Sequence, residues 1–460
     1  MTQRYVDFRK KINSLFKPLF YILDKMLFMR NILLLLFVLL KFNSYSQIQE
    51  FHKTDAFIDY IEKHNRAIGN ISIFKNNKEI YQRKFGSFNQ EDELYSYRIA
   101  SVTKLITATI AFQLIEENKL TLETSLHDFF PQIENSKTIK IKHLLNHTSG
   151  LGDVNFKNDD PYWLCERVFS PNELLENIIS QGTSFEAGTE FSYSNSAYFL
   201  LGQIIEKITN LPYSLLVDQR ISKPLKLKYL RAGISDRIKV YPSLKYEEGN
   251  WILENEKFHE NSLAFGDITA CTEDLNVFIN ALFDGKLISK ESLDLMKPQK
   301  NKSFGLGMMK TPFFDLSFLG HNGDIMGSHT FLGYSEKDQL SIAININGNR
   351  NSKSEFYVGI LNSLLEKNIP YPTYVDEKIL KDYAGIYSGE DFPFHIKIEE
   401  INGDLYGLGL DEGQMQFLLK PKTNHTFHFE HIEIQFDTIS NEMNFYESGQ
   451  LYPMKKIKKL

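Results

Sequence analysis

The 460-residue sequence predicts an α+β domain followed by a small all-β domain, and three observations carry that expectation. Strand-like segments stand at both ends of the stretch from about Phe51 to Asn368, with helical segments between them. After the proline-bearing "NIPYPTYVDE" (368–377), short alternating strands take over. The length itself exceeds what one ordinary core holds, so two or three domains are expected.

The elements follow in order. "ISIFKNNKEIYQRKFG" (71–86) alternates and turns at Asn76-Asn77, the pattern of a hairpin. "SVTKLITATIAFQLI" (101–115) is nearly all apolar and reads as a buried helix over 104–117. In "SAYFLLGQIIEKIT" (196–209), Leu200, Leu201, Ile204, Ile205 and Ile208 form one helical stripe. "EDLNVFINALF" (273–283) and "SEFYVGILNSLLEK" (354–367) give two more helices, and "HTFLGYSEKDQLSIAININ" (329–347) gives late strands. Beyond Tyr383 the strands are short and evenly spaced, with a hairpin at Asn402-Gly403, which points to a barrel or sandwich of about ninety residues.

The N-terminus is unlike the rest. Seven basic residues from Arg4 to Arg30 precede "ILLLLFVLL" (32–40), and Ser44 and Ser46 follow in small-x-small spacing. That is the order of a secretory leader, and nine apolar residues are short for a bilayer span. The expected domains are therefore a leader over 1–46, the α+β domain over 47–370 and the β domain over 371–460. Beyond residue 46 the chain keeps 44 Lys/Arg against 56 Asp/Glu, a formal charge of −12, which argues against nucleic acid as a partner. The expected location is periplasmic or secreted. Cys165 and Cys271 could pair in such a compartment; two buried free thiols are the favoured expectation.

Three Ser-x-x-Lys pairs occur, at Ser14/Lys17, Ser72/Lys75 and Ser101/Lys104. The first lies in the leader, and the second in an alternating strand whose positions three apart face opposite ways. Only Ser101 and Lys104 share one face of an apolar helix. A serine hydroxyl needs a base before it can attack, and an amine forced out of water loses its proton readily. Capping by Ser101 and snorkelling by Lys104 would be the ordinary explanation. Two further stretches favour chemistry: "FSYSNSAYFLLG", with Tyr193 and Asn195 in an extended lead-in to a helix, and "GHNGDIMGSHTFLGYS", with His321 and Gly323 between glycines.

In this order, Ser101-Lys104, Tyr193-Asn195 and His321-Gly323, the chain resembles the serine β-lactamase and penicillin-binding protein family. The branch is that of class C β-lactamases, D-Ala-D-Ala carboxypeptidases and esterases, whose motifs are S-x-x-K, Y-x-N and H-x-G or K-T-G. "IKHLLNHTSGL" (141–151), "FGDITACTEDLNVFINAL" (265–282) and "FGLGM" (304–308) fit the same family. The resemblance covers roughly 55–365. It implies a central antiparallel sheet flanked by helices with a helical insertion, and a lipocalin-like C-terminal barrel opening at "YAGIYSG" (383–389). It also implies an acyl-enzyme on Ser101, with Lys104 and Tyr193 sharing the base role, and Asn195 bonding Lys104 or the substrate amide. His321 would hold Tyr193 and the substrate, and the oxyanion would lie between the N–H groups of Ser101 and Asp324, where Gly323 precedes. A small-molecule or peptide ester or amide is the implied substrate, with cell-wall association a further implication and no cofactor or metal needed. The third motif lacks the fixed cation and hydroxyl of Lys-Thr-Gly, and Asp324 places an acid beside the anion site. Both departures disfavour anionic β-lactams. A non-catalytic peptidoglycan or peptide sensor is the alternative.

Other signals carry less. His425, His428, Glu430 and His431 lie close in sequence, but on a strand the face shared by His428 and Glu430 excludes His425 and His431. No G-x-S-x-G elbow occurs, and "GLG" (305–307) lacks a dinucleotide-site context. His147 reads as a structural hydrogen-bonder in a turn.

Overall fold

The computed structural model describes residues 51–86, 96–233, 239–247, 249–255, 257–350, 352–365, 367–369, 371–410, 415–437 and 439–460, so the expected leader lies outside the described residues. By internal contacts the chain divides into two units. In the smaller, which joins residues up to Phe57 with Ile360–Ile369, Thr54 Oγ1 and Ser363 Oγ share a hydrogen bond of 2.8 Å. The larger holds Ile58–Gly359 and Pro370–Leu460.

Helix α1 (His52–Lys63) leads into β1 (Ala67–Lys75) and β2 (Lys78–Phe85). Their turn is made as the sequence indicates: Asn76 and Asn77 sit at φ 51° and 63°, the left-handed pair a two-residue hairpin requires. β3 (Tyr97–Arg98) runs into a 3₁₀ turn (Ala100–Val102) and then α2 (Thr103–Glu116). The helical middle holds α3 (Ile141–Leu145), α4 (Pro171–Gln181) and α5 (Asn195–Thr209). After β4 (Arg231–Ala232), the hairpin β5 (Leu244–Glu247) and β6 (Asn250–Leu253), and β7 (Ile268–Ala270) comes α6 (Thr272–Phe283). β8 (Met309–Phe313), β9 (Leu316–Ile325), β10 (Ser328–Ser335) and β11 (Leu340–Asn349) then lead to α7 (Lys353–Leu364).

The main sheet has the order β2-β1-β11-β10-β9-β8, antiparallel at every pairing. N-terminal and C-terminal strands therefore meet at its centre, which is why strands bracket the helices in the sequence. A second, three-stranded sheet, β3-β7-β4, carries the approach to Ser101. Helix α2 is buried on nearly every side, with Leu105, Ile106, Ala108, Ile110, Ala111, Phe112 and Leu114 in the main core. An all-round apolar helix belongs at the centre of a large domain.

Beyond α8 (Glu377–Tyr383), eight strands from β12 (Gly385–Ser388) to β19 (Gln450–Lys459) close an antiparallel barrel in sequential order. Gly385 pairs with Lys459 to shut it. The interior is filled by Tyr387, Ile396, Ile398, Leu405, Leu419, Phe427, Ile434, Met443 and Phe445. Both cysteines are free, Cys271 buried and Cys165 only half-buried, so the expectation of two buried thiols holds for one. Among the described residues no helix is long and apolar enough to cross a membrane.

Candidate active site

Ser101 sits in the 3₁₀ turn that opens α2, directly after Ala100 at φ 47°. A left-handed residue with a Cβ costs roughly 1–2 kcal/mol, so the bend that turns Ser101 into the cleft is held by its surroundings. One turn further on, Lys104 has no exposed surface. Its Nζ lies 2.9 Å from Ser101 Oγ, 2.8 Å from Asn195 Oδ1 and 2.9 Å from the carbonyl oxygen of Phe265. Burial pushes the amine down to about 7, with the charge of Asp153 pulling the other way. Lys104 does not snorkel.

Asn195 is the first residue of α5, not the end of an extended lead-in; that stretch stops at Ser194, whose Oγ accepts the N–H of Ala197 as the helix cap. Asp153 holds Asn195 from the far side. Its two carboxylate oxygens accept from Asn195 Nδ2 at 3.2 and 3.1 Å, which fixes the amide with its oxygen towards Lys104. The half-buried Tyr193 hydrogen-bonds Ser101 through its hydroxyl. Burial drives the phenol above its ordinary value, and the hydrogen bond to Ser101 opposes that. Its ring stacks on His147 with centroids 4.2 Å apart. His147 Nδ1 accepts the Ser194 N–H at 3.1 Å, and burial, then the charge of Lys104, keeps the imidazole neutral. His147 is thus the platform beneath Tyr193, in the structural role expected of it.

Strand β9 forms the opposite wall. A Cβ on Gly323 would lie 2.1 Å from the Ile99 carbonyl oxygen and 3.0 Å from the Ser101 nitrogen, so only glycine lets β9 approach the serine turn. His321 is buried; its Nδ1 donates to the Asn322 carbonyl at 2.6 Å, and burial pushes it down to about 3. The imidazole is therefore neutral near pH 7. Its ring centroid is 6.5 Å from that of Tyr193, and Nε2 has no hydrogen-bond partner among the described residues, so no bond from His321 holds Tyr193. Asp324 is ion-paired with Lys353 at the start of α7 and accepts from His329 Nδ1 at 2.7 Å. Burial raises this carboxyl, and the bonds from His329 and Lys353 outweigh it, leaving the group below its ordinary value. A cation does stand at this edge of the cleft, but it comes from another element and is occupied by Asp324.

These groups converge on a cleft of ≈ 400 Å³, with Phe258, Phe265, Phe304, Met309 and Ile325 as apolar walls. Sequence reasoning missed Asp153, Lys353, the Phe265 carbonyl and the strained Ala100. Asp153 lies two residues beyond "HTSGL", but a lone carboxylate there does not announce its partner, and a backbone carbonyl and a positive φ at alanine leave no signal either.

A model of the Beta-lactamase family matches residues 54–364, with Ser101, Lys104, Tyr193, Asn195 and His321 inside the matched span. The chain belongs to the β-lactamase family. This β-lactamase-family chain is 26% identical over 318 residues to PbpX of Bacillus subtilis (strain 168), which carries the name of a penicillin-binding protein; the match spans 67% of this chain and 78% of that one. It is 28% identical over 207 residues to esterase EstB of Burkholderia gladioli, 38% of this chain and 50% of EstB. Among solved structures, the octameric penicillin-binding protein homologue from Pyrococcus abyssi superposes with a TM-score of 0.65 at 19% identity, covering 88% of this chain and 99% of that one. The β-lactamase/transpeptidase fold, with a closed eight-stranded barrel at its C-terminus, is therefore the architecture of this family member.

Proposed function

We propose that the chain is an exported serine hydrolase that forms an acyl-enzyme on Ser101 and cleaves neutral or cationic esters or amides. The observation that carries this reading is the environment of Lys104. Two of its three neighbours, Asn195 Oδ1 and the Phe265 carbonyl, can only accept. A neutral amine gives both hydrogens to them and keeps its lone pair for the Ser101 hydroxyl at 2.9 Å. Lys104 is then the base, and the raised phenol of Tyr193 stays protonated as the acid.

In the first half-reaction, Lys104 takes the hydroxyl proton as Ser101 Oγ bonds to the carbonyl carbon. The oxyanion is received by the N–H groups of Ser101 and Asp324, each such donor contributing about 10²–10³ in rate. The bond to the leaving oxygen or nitrogen breaks as Tyr193 supplies it with a proton, replenished from Lys104. Water then attacks the ester on Ser101 with the same groups in reverse. Because Lys353 is occupied by Asp324, the cleft offers a substrate carboxylate no uncommitted fixed cation among the described residues. That supports neutral or cationic substrates over anionic β-lactams.

The test is intact mass after treatment with a fluorophosphonate or labelled penicillin, beside turnover of p-nitrophenyl esters and nitrocefin. One adduct on wild type, none on Ser101→Ala, and ester turnover well above nitrocefin turnover are expected. Absence of any adduct or turnover would replace the enzyme with a sensor, and nitrocefin hydrolysis rivalling the best ester would overturn the substrate class.

A further inference from the structure

A second cavity of ≈ 550 Å³, larger than the cleft over Ser101, shares no lining residue with it. It lies where the barrel meets the ends of β1 and β11. Its floor is the barrel's own apolar interior: Leu380, Leu405, Leu419 and Phe427 line it, each no more than 2% exposed to solvent. The mouth is charged with both signs. Arg66 stands against Asp404 at 3.6 Å, Lys420 against Glu355 at 3.6 Å, and Arg350 against Glu377 at 2.7 Å. The Lys420–Glu355 pair is longer than a hydrogen bond, so its two charged ends can each take a further partner. Arg350 is 4% exposed, and its Nε has no hydrogen-bond partner among the described residues; His428 Nδ1, of another lining residue, has none either.

These features select a ligand chemistry. A dry hydrocarbon floor takes an apolar side group, and a volume of this size fits a small molecule. Matched cations and carboxylates at the rim favour a ligand bearing both charges close together. A carboxylate can be met by Lys420 and the Arg350 Nε–H, and an ammonium by Glu355. A fatty acid would leave the carboxylates of the mouth facing its own, and a fatty amine would leave the cations facing its own. We propose that this cavity binds a free amino acid with an apolar side chain. The site stands apart from Ser101, and its case does not depend on the reaction proposed there.

Titration calorimetry on the full chain carrying Ser101→Ala tests it, with L- and D-leucine, L- and D-phenylalanine, octanoate and octylamine as probes. Saturable binding of at least one amino acid is expected, with octanoate and octylamine at least tenfold weaker. Glu355→Gln and Lys420→Met, both at half-exposed or exposed positions, should each weaken that binding about tenfold or more, and the fold is checked by circular dichroism. No binding of any amino acid overturns the proposal. Equal binding of octanoate or octylamine overturns the charge-matched recognition, and amino-acid binding that both variants leave unchanged places the ligand elsewhere.

Discussion

Lys104 links the proposed chemistry to a pH response. Its amine falls from 10.5 to about 7 on burial, so between those values the unfolded chain holds a proton that the folded chain has released. Folding stability from this group therefore rises with pH across that window, and the full burial cost is felt below about 7. Lys104→Met should abolish turnover while raising Tm, with the gain largest near neutral pH and closing towards pH 10; calorimetric scans across that range check the sign. Asp267 behaves in the opposite sense. Burial lifts its carboxyl from 3.8 to about 7, so wild type loses stability as pH rises through that interval. Asp267→Asn can keep the bond to the Ala264 N–H and should flatten the Tm-against-pH profile there. Asp153 tunes Lys104 from one shell out. Asp153→Asn removes the charge that raises the amine, so the acid limb of kcat/KM should move to lower pH and activity should fall roughly tenfold at its plateau. An unmoved limb would deny Lys104 the role of base. Of this constellation, the serine, lysine, tyrosine, asparagine and histidine were legible because their types and order are distinctive. Asp153 and Lys353 were not, since lone charged residues in a chain that is 24% charged carry no mark of where they will point.

The elements were easier to read than their partners. The left-handed Asn76-Asn77 turn, the buried helix α2 and the late strands follow from turn chemistry and periodicity, and each formed within a residue or two of its expected bounds. What periodicity could not supply was the pairing of β1 with β11, residues almost three hundred apart, or the bend at Ala100. The contact between β9 and the serine turn belongs to the same class. It exists because residue 323 has no side chain. Gly323→Ala should drive β9 and the turn apart by a few tenths of an ångström or more, and kcat/KM should fall by about 10²-fold, the scale set by misplacing a reacting group by around 1 Å. Near-wild-type kinetics in a folded Gly323→Ala protein would contradict the packing described for this strand.

On the scale of the whole molecule, the barrel is fastened to the ends of two inner strands of the main sheet, β1 and β11. Arg66 immediately precedes β1 and Arg350 immediately follows β11, and Ala67 and Asn349 between them are paired. Both guanidiniums reach the β13–β14 hairpin (Ile396–Ile401 and Asp404–Gly409): Arg350 Nη2 donates to the Asn402 carbonyl at 3.0 Å, and Arg66 Nη2 to that of Gly403 at 3.5 Å. Each also lies over a tyrosine ring, Arg350 on Tyr246 at 4.0 Å and Arg66 on Tyr374 at 4.2 Å. A Cβ at Gly403, φ +81°, would fall 1.6 Å from Arg350 Nη2. Gly403→Ala should destabilise the chain by about 1–3 kcal/mol, seen as a lower Tm and faster cleavage of the 368–377 segment in limited proteolysis, with Ser101 labelling retained. That the hairpin would turn at Asn402-Gly403 was plain in the sequence. That its tip would be the fastening was not, because the arginines that grasp it lie more than three hundred and more than fifty residues away.

This clasp bears on how the chain is made. Until the β13–β14 hairpin leaves the ribosome, the nascent chain presents two arginines at the ends of β1 and β11 without the turn that covers them. Water can solvate them meanwhile, and the hairpin that covers them is made well after the strand that begins at residue 67. A chain cut short after α7 would leave that seam without its cover, the two guanidiniums losing their carbonyl acceptors at 402 and 403.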